Sequence, residues 1–555
     1  MNRPSILTGA LWGGLLSVPL MALFFIGQQI ARFPFVPFDM FDWLARALPG
    51  PVITFGIDTM VDVITTFQLG RLDEAAKTAE QFMALGITFI IGVIAGGLFF
   101  FIMNRLPGER QRRDSLPGVI MGAIVGLPFL LFSLAVNLEA AGQPLVSAVW
   151  VLGLYMLWGL TVSWLYSALA FRVQPAAAES AAAGEAGTAA SVQTLNRRQF
   201  MIQVGGATAT VTVVGVGLGA LLSQGDEATT TARADGAALP PDGLPNANDP
   251  LVPAPGTRPE YTPLEDHYRI DIRTTPLEIA EEGYTLPIAH TNAEGDTEIL
   301  AELTLDQIRN DFESMDAFIT MSCISNRIGG PLISTTRWTG VSMQDILDSI
   351  DVPPTATHLR INGGDGFDET VALEDIANDR RIMLTHAWDG IPLLPKHGFP
   401  LRIHIPDLYG MKQPKWITAM RFLDQDEDGY WVRRGWDKVA RVKATSVIDT
   451  VAVDMMVIDA DENQRIPVGG IAWAGDRGIS RVEVRVNDGE WQEAQLRAPI
   501  SDRTWTIWRY DWPFEEGMHT FEVRCFEADG TEQIAAVASP RPDGASGIHS
   551  TRVNL

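Results

Sequence analysis

Pro392–Trp416 reads PLLPKHGFPLRIHIPDLYGMKQPKW. Its prolines and glycines cut the chain into short extended pieces joined by turns. Leu401-Arg402-Ile403 is a short strand. An arginine held between two apolar neighbours on a strand calls for a buried partner and is poorly explained as a solvated charge. Lys415 follows the Tyr409-Gly410 turn, so it and nearby backbone N–H groups can converge on an anion.

Outward from this block the pattern is mixed. From about Leu264 to 445 helical periodicity (TLDQIRNDF, SMQDILDSI, ALEDIAND) alternates with short strands (HLRIN, KWITAMRFL), which predicts an α+β domain. From 446 to 555 strict alternation takes over. Val482, Val484 and Val486 interleave with Glu483, Arg485 and Asn487, and Asp488-Gly489 offers a hairpin turn. About seven such strands in roughly 100 residues predict an all-β immunoglobulin-like sandwich. Cys525 lies on one of them and is read as a small core residue.

The other direction leads into a membrane. Apolar runs long enough to span occur at 7–30, 82–103, 117–136, 146–171 and 202–222, predicting an all-α transmembrane region of about five helices over 1–223. The 31–81 loop is apolar but carries Asp39, Asp42, Asp58 and Asp62, and predicts interfacial or re-entrant helices. Arg105, Arg110, Arg112, Arg113, Arg172, Arg197 and Arg198 cluster in alternate loops, which puts those loops in the cytoplasm. Everything after the fifth span then faces outward from a multi-pass cell-membrane protein. The Arg197-Arg198 pair before a weakly hydrophobic span resembles a twin-arginine export signal, and positive-inside anchoring is its equal alternative. Residues 224–263 are Pro-, Ala- and Asp-rich without periodicity, which predicts a disordered tether.

The net charge of −25 sits wholly in the soluble part. Met1–Gly225 holds 12 basic and 12 acidic residues, leaving 42 − 12 = 30 basic against 67 − 12 = 55 acidic residues beyond it. No nucleic-acid partner fits that balance, since phosphate backbones need a basic surface.

One of only two cysteines, Cys323, stands in TMSCISNRIGG between an apolar run and a glycine pair. On spacing alone it is a buried structural thiol, a nucleophile awaiting His386, His397 or His404, or a soft-metal ligand. Zinc is disfavoured because no second cysteine or closely spaced histidine pair accompanies it.

From about Tyr268 to its end the chain resembles the sulfite oxidase family of molybdenum-cofactor enzymes. The resemblance is carried by Cys323-Ile-Ser-Asn326-Arg327, by RWTG at Arg337–Gly340, by the His397-Gly-x-Pro-x-Arg402 block with its Tyr-Gly turn and Lys-x-x-Lys415-Trp stretch, and by YWVRRGW. It implies a molybdopterin domain at 264–445, followed by a dimerisation domain at 446–555. Cys323 is then the thiolate ligand of molybdenum beside a pterin dithiolene, and Tyr268, Arg269, Asp365, His397, Arg402, Gln413 and Lys415 are cofactor contacts. Arg327 is implied in the substrate pocket, where a planar cation suits an oxyanion. The family carries a metal-facing tyrosine at the place read here as His386, so the resemblance implies oxygen-atom transfer without fixing sulfite as the substrate.

All eight histidines lie in the soluble half and no Cys-x-x-Cys-His occurs, so the chain predicts no haem of its own. Electrons would pass to or from an external partner: a c-type cytochrome, a quinone or a membrane subunit. The expected activity is two-electron oxygen-atom transfer on a small oxyanion. A sulfoxide reductase of the methionine-sulfoxide type, fed from the membrane, is the alternative. A non-catalytic binding or assembly subunit is disfavoured by the intact set of cofactor contacts.

Overall fold

A computed structural model describes residues 3–106, 114–137, 141–170, 243–292, 294–459 and 461–555. The expected span at 202–222, the arginine pair at 197–198 and the first part of the tether lie outside the described residues. The chain forms two compact units: Met1–Leu48 with Lys77–Thr229, and Pro49–Ala76 with Thr230–Leu555.

The first unit is helical. Among the described residues, four helices are long and apolar enough to cross a membrane: α1 (Ile6–Ala31), α4 (Leu72–Arg105), α5 (Leu116–Val136) and α6 (Pro144–Ala170). They coincide with four of the five predicted spans. Between α1 and α4 lie α2 (Val36–Ala47) and α3 (Gly50–Phe67), the helices foreseen in the acidic loop. Glycine sets how close α1 and α4 come, since a Cβ on Gly13 would sit 2.7 Å from Gly96 Cα. Ile120, Ile124, Leu127 and Leu131 of α5 stay exposed in one stripe, a face suited to hydrocarbon.

In the second unit two sheets share one core. The first has the order β2-β1-β10-β5-β6: β1 (Thr285–Thr291) and β2 (Thr297–Thr304), then β5 (His358–Gly363), β6 (Asp368–Ala372) and β10 (Ile417–Leu423). The second has the order β3-β4-β7-β8, with β3 (Ser314–Ser322), β4 (Ile333–Ser342), β7 (Met383–Trp388) and β8 (Ile391–Pro392); β9 (Arg402–His404) pairs with β7. Leu286, Ile288, Leu359, Ile361 and Phe422 of the first sheet meet Val341, Leu384 and Ile403 of the second. Helices Leu305–Asn310, Met343–Asp348 and Leu373–Asn378 cap this core, completing the expected α+β mixture. The register of β3 on β4 runs from Ser314 opposite Val341 to Ser322 opposite Ile333, so Cys323 leaves the sheet at one end.

The C-terminal part is β throughout. One antiparallel sheet holds β11 (Thr445–Val451), β12 (Val457–Ile458), β13 (Gln464–Trp473), β16 (Gln495–Leu496) and β17 (Thr506–Pro513). The other holds β14 (Ile479–Val486), β15 (Gln492–Glu493), β18 (Met518–Glu527) and β19 (His549–Asn554). Val482, Val484, Val523 and Cys525 face Ile466, Val468 and Trp508 across one core, so Cys525 is a core residue. The turn after β14 falls one residue earlier than the Asp-Gly pair suggested. Asn487 and Asp488 take the positive φ angles, 51° and 59°, and Gly489 N–H closes the turn on Val486 C=O at 3.0 Å.

The tether needs correcting from residue 243 onward. Arg497 donates to the carbonyls of Asn246, Asp249 and Leu251 at 3.0, 3.0 and 2.8 Å, and Arg258 Nε donates to Asp449 at 2.9 Å. A segment without periodicity is ordered here by side chains that bond its backbone, a contribution composition does not reveal.

Candidate cofactor site

The site is assembled from three chain segments, with Trp338 of β4 and Trp388 of β7 packed among them. The Cys323 thiol leaves the strand into a turn, with its N–H on Leu332 C=O and its C=O accepting from Asn326 N–H, both at 3.0 Å. Asn326 Oδ1 accepts from Leu332 N–H at 3.0 Å, which fixes the loop that follows. The sulfur lies 3.0 Å from Ser325 Oγ, and burial pushes the thiol pKa up despite that contact.

Tyr268 and His267 come from the second segment, anchored by Tyr268 N–H on Ser334 Oγ at 3.2 Å. A Cβ on Gly410 would lie 3.1 Å from the Tyr268 hydroxyl and 3.5 Å from Ser322 C=O, so this phenol reaches beside the cysteine turn. Burial and the neighbouring Cys323 both raise its pKa. Arg269 and Lys415 share Asp271, at 2.8 and 3.1 Å.

The third segment is the Pro392–Trp416 block. Gly398, at φ 114°, turns the chain so tightly that a Cβ there would sit 2.5 Å from Lys415 Cβ and 3.4 Å from Arg402 Cβ. Arg402 is buried; it donates to His397 C=O at 3.2 Å and reaches Met321 Sδ at 3.5 Å. Its guanidinium lies over the Trp338 ring, 4.7 Å from the centroid. Burial lowers Arg402 to about 10 and Lys415 to about 8. His397 packs edge-on to His267 at 5.1 Å and against Trp388 at 4.6 Å. Burial holds both histidines far below their ordinary pKa, so both are neutral.

Several buried donors and acceptors here have no hydrogen-bond partner: His267 Nδ1, His397 Nε2, Trp338 Nε1 and Trp388 Nε1. Arg402 has no carboxylate partner among the described residues, and its pKa feels no acid except the Tyr268 phenol. Buried polar groups are rarely left unpaired, and a lone buried cation is costlier still. Unpaired ring nitrogens beside an unpaired cation and a thiol suit a planar ligand rich in donors and acceptors that carries a phosphate. The residues present therefore fit molybdopterin.

The sequence-predicted residues divide. Tyr268, Cys323, His397, Arg402 and Lys415 come together. Arg269 is at the rim through Asp271, and Asp365 lies in the β5–β6 turn whose Gly364 N–H bonds Trp416 C=O at 2.7 Å. Gln413 does not offer itself to a ligand. Its N–H bonds Gly410 C=O at 3.1 Å, and its side chain joins His404 Nδ1 at 3.1 Å and Leu408 C=O at 2.9 Å. Arg327 is half exposed and pairs with Asp62 of α3 at 2.7 Å.

His386 lies on β7 beside Thr385, which pairs with Arg402 of β9. β4 carries Gly340 opposite both Met315 of β3 and Thr385 of β7, which sets His386 level with Met315–Asp316. Its pKa, lowered to about 4, answers to burial and then to Arg309 and Asp316. The phenols whose pKa feels the Cys323 charge are Tyr268 and Tyr409. Sequence reasoning also passed over His267, Trp338 and Trp388 as site residues. The adjacency of His267 to Tyr268 was the one available signal.

Residues 273–431 match the family described as oxidoreductase molybdopterin binding domain, and 437–537 match the Mo-co oxidoreductase dimerisation domain. Mitochondrial sulfite oxidase of Macaca fascicularis is 24% identical over 269 residues, covering 41% of this chain and 49% of its own. NADH nitrate reductase 1 of Oryza sativa subsp. japonica is 24% identical over 294 residues, covering 42% and 31% respectively. The sulfane dehydrogenase SoxCD structure from Paracoccus pantotrophus aligns at 18% identity and a TM-score of 0.42, over 51% of this chain and 78% of that one. The chain spans about half the length of the first curated relatives it matches. The two matched domains define a molybdopterin oxidoreductase. This part of the chain is similar to sulfite oxidases, with a region of four apolar helices ahead of it among the described residues.

Proposed function

We propose that the chain is a membrane-anchored, outward-facing molybdenum-molybdopterin oxidoreductase that performs oxygen-atom transfer on a small oxyanion or sulfoxide. The domain plan is a helical anchor at 1–223, a molybdopterin domain at 264–445 and an immunoglobulin-like dimerisation domain at 446–555. The observation that carries this reading is the buried, carboxylate-free Arg402 and the unpaired His267 and His397 nitrogens, packed on Trp338 and Trp388, which share an apolar cluster with Cys323.

When bound, the cofactor supplies two-electron oxygen-atom transfer. The chain's own residues supply binding and orientation. Cys323 is the proposed metal ligand; its raised pKa means that loading must displace the thiol proton, and Ser325 Oγ is placed to donate to the thiolate. Arg402 and Lys415 hold the phosphate, with Arg269 kept at the rim by Asp271. Neutral His397 and His267 offer ring nitrogens to the pterin edge, and Trp338 and Trp388 close the space against water. Arg327 receives the substrate oxyanion once it releases Asp62. Electrons pass to or from an external partner, and the dimerisation domain supports a homodimer.

Molybdenum and pterin analysis of the matured full chain tests the cofactor, and absence of both overturns the proposal. Sulfite-dependent cytochrome c reduction measured against sulfoxide-dependent oxidation of a reduced viologen separates the two substrate classes. Cys323→Ser is expected to abolish turnover and molybdenum retention while the chain still folds.

A further inference from the structure

We propose that Arg71 and Asp73, at the junction of α3 and α4, are positioning residues of the cofactor pocket, holding from behind the segment that carries His267, Tyr268 and Arg269. The inference rests on the cofactor reading of that site. It gives the stretch between the first two apolar helices a role beyond connection.

The geometry is local to the second compact unit, which includes Pro49–Ala76. Gly70, at φ 106°, turns the chain out of α3, and Arg71 C=O accepts the Ala75 N–H of the first α4 turn at 2.8 Å. Arg71 then points its guanidinium at the Leu264–Asp266 turn. Nη1 donates to Glu265 C=O at 3.2 Å and to Asp266 Oδ1 at 2.6 Å, and Nη2 donates to Asp266 C=O at 3.1 Å. Asp73 is buried and accepts the Arg269 N–H on Oδ2 at 2.9 Å. Leu72 packs on the apolar cluster that contains Leu264, Tyr268 and Cys323.

These contacts bracket the pocket segment. Arg71 ties the residues just before His267, Asp73 ties the residue just after Tyr268, and Leu72 fills between. On the pocket side the same segment has one backbone tie, Tyr268 N–H to Ser334 Oγ at 3.2 Å. Extended chain with few ladder bonds has little stability of its own. A carboxylate accepting a backbone N–H, and a guanidinium spread over two carbonyls and a carboxylate, are among the stronger bonds available to fix it. Misplacing it by about 1 Å would weaken every contact that His267, Tyr268 and Arg269 make with a bound ligand.

The test uses the full chain in detergent, loaded during expression, and reads cofactor loss without an activity assay. Molybdenum is measured by mass spectrometry and pterin by fluorescence after oxidation, over a time course of dialysis. Asp73→Ala is expected to release pterin at least fivefold faster than wild type, with the melting of cofactor-free protein within about 2 °C of wild type. Asp73→Asn keeps an acceptor and should fall between. If Asp73→Ala does not yield folded protein, Arg71→Lys decides, since it cuts the forked bonds to the Glu265 and Asp266 carbonyls while keeping a cation beside the buried Asp73. Release at the wild-type rate from the deciding variant overturns the inference and leaves the proposed function standing. Wild-type protein lacking both molybdenum and pterin overturns that function and this inference with it.

Discussion

The Arg402 guanidinium carbon lies 4.7 Å from the centre of the Trp338 ring, and no carboxylate among the described residues pairs with it. A buried lone cation costs the cofactor-free fold several kcal/mol, which an anionic ligand offsets on binding. Arg402→Met keeps the packing on Trp338 and removes the charge. Cofactor-free Arg402→Met should therefore be as stable as wild type or more stable, by about 1–3 kcal/mol in urea unfolding. Pterin retained after purification should fall below a tenth of wild type. Clear destabilisation would mean that Arg402 is a structural cation and not a phosphate ligand.

Much of this site was legible because its residues sit close together in sequence. Leu401-Arg402-Ile403 announces a buried charge, and Gly398 announces the turn that brings Arg402 to Lys415. What could not be read is distance across a sheet. His386 lies only eleven positions before His397 in the chain. Yet β7 pairs with the end of β4 that is remote from Cys323, across a register shift between Thr339 and Gly340. Asp62 and Asp73 were hidden for a similar reason. They lie 265 and 196 residues before their partners, and no local pattern in an apolar loop says which surface it will meet.

The placement of His386 is testable in solution. The charges its imidazole feels are those of Arg309 and Asp316. His386→Phe should leave kcat and KM within about twofold of wild type and leave molybdenum content unchanged, since effects beyond contact distance are small. A fall of tenfold or more in kcat would return His386 to the reacting centre.

Burial also fixes how stability varies with pH. His267 and His397 are held neutral, and His404 is lowered to about 3. An unfolded chain takes up these protons near pH 6.5. Below that pH the unfolded state holds more protons than the folded one, so stability is lost as pH falls from about 6.5 towards 3. Each histidine contributes a slope of at most about 1.4 kcal/mol per pH unit. Lys415, at about 8 when folded, has the same sign in an alkaline window. Between about 8 and 10.4 the unfolded state again holds more protons, so this group adds stability as pH rises. Thermal unfolding of cofactor-free protein from pH 4 to 8 checks the first window. His404→Gln should flatten it by about one proton's slope, and an unchanged slope would mean that His404 titrates normally in the fold.

Arg477 joins the molybdopterin domain to the β domain behind it. It pairs through Nη1 with Asp407, just before the Tyr409-Gly410 turn, and through Nε with Glu527 at the end of β18 at 2.7 Å. Nη2 donates to Val442 C=O at 2.7 Å. The Arg477 side chain is only 18% exposed, so salt screens the pair poorly. Arg477→Met would strand the Glu527 carboxylate and leave Asp407 with Arg441 alone, a loss of about 3–5 kcal/mol by the rule for broken buried pairs and less at this exposure. Because the network crosses the domain boundary, calorimetry should show the single transition of the soluble part splitting in two. The melting point should also respond little to added salt. A loss that 0.5 M salt reproduces in wild type would instead mark the pair as a surface contact, leaving the Tyr409-Gly410 turn held to the β domain by apolar packing alone.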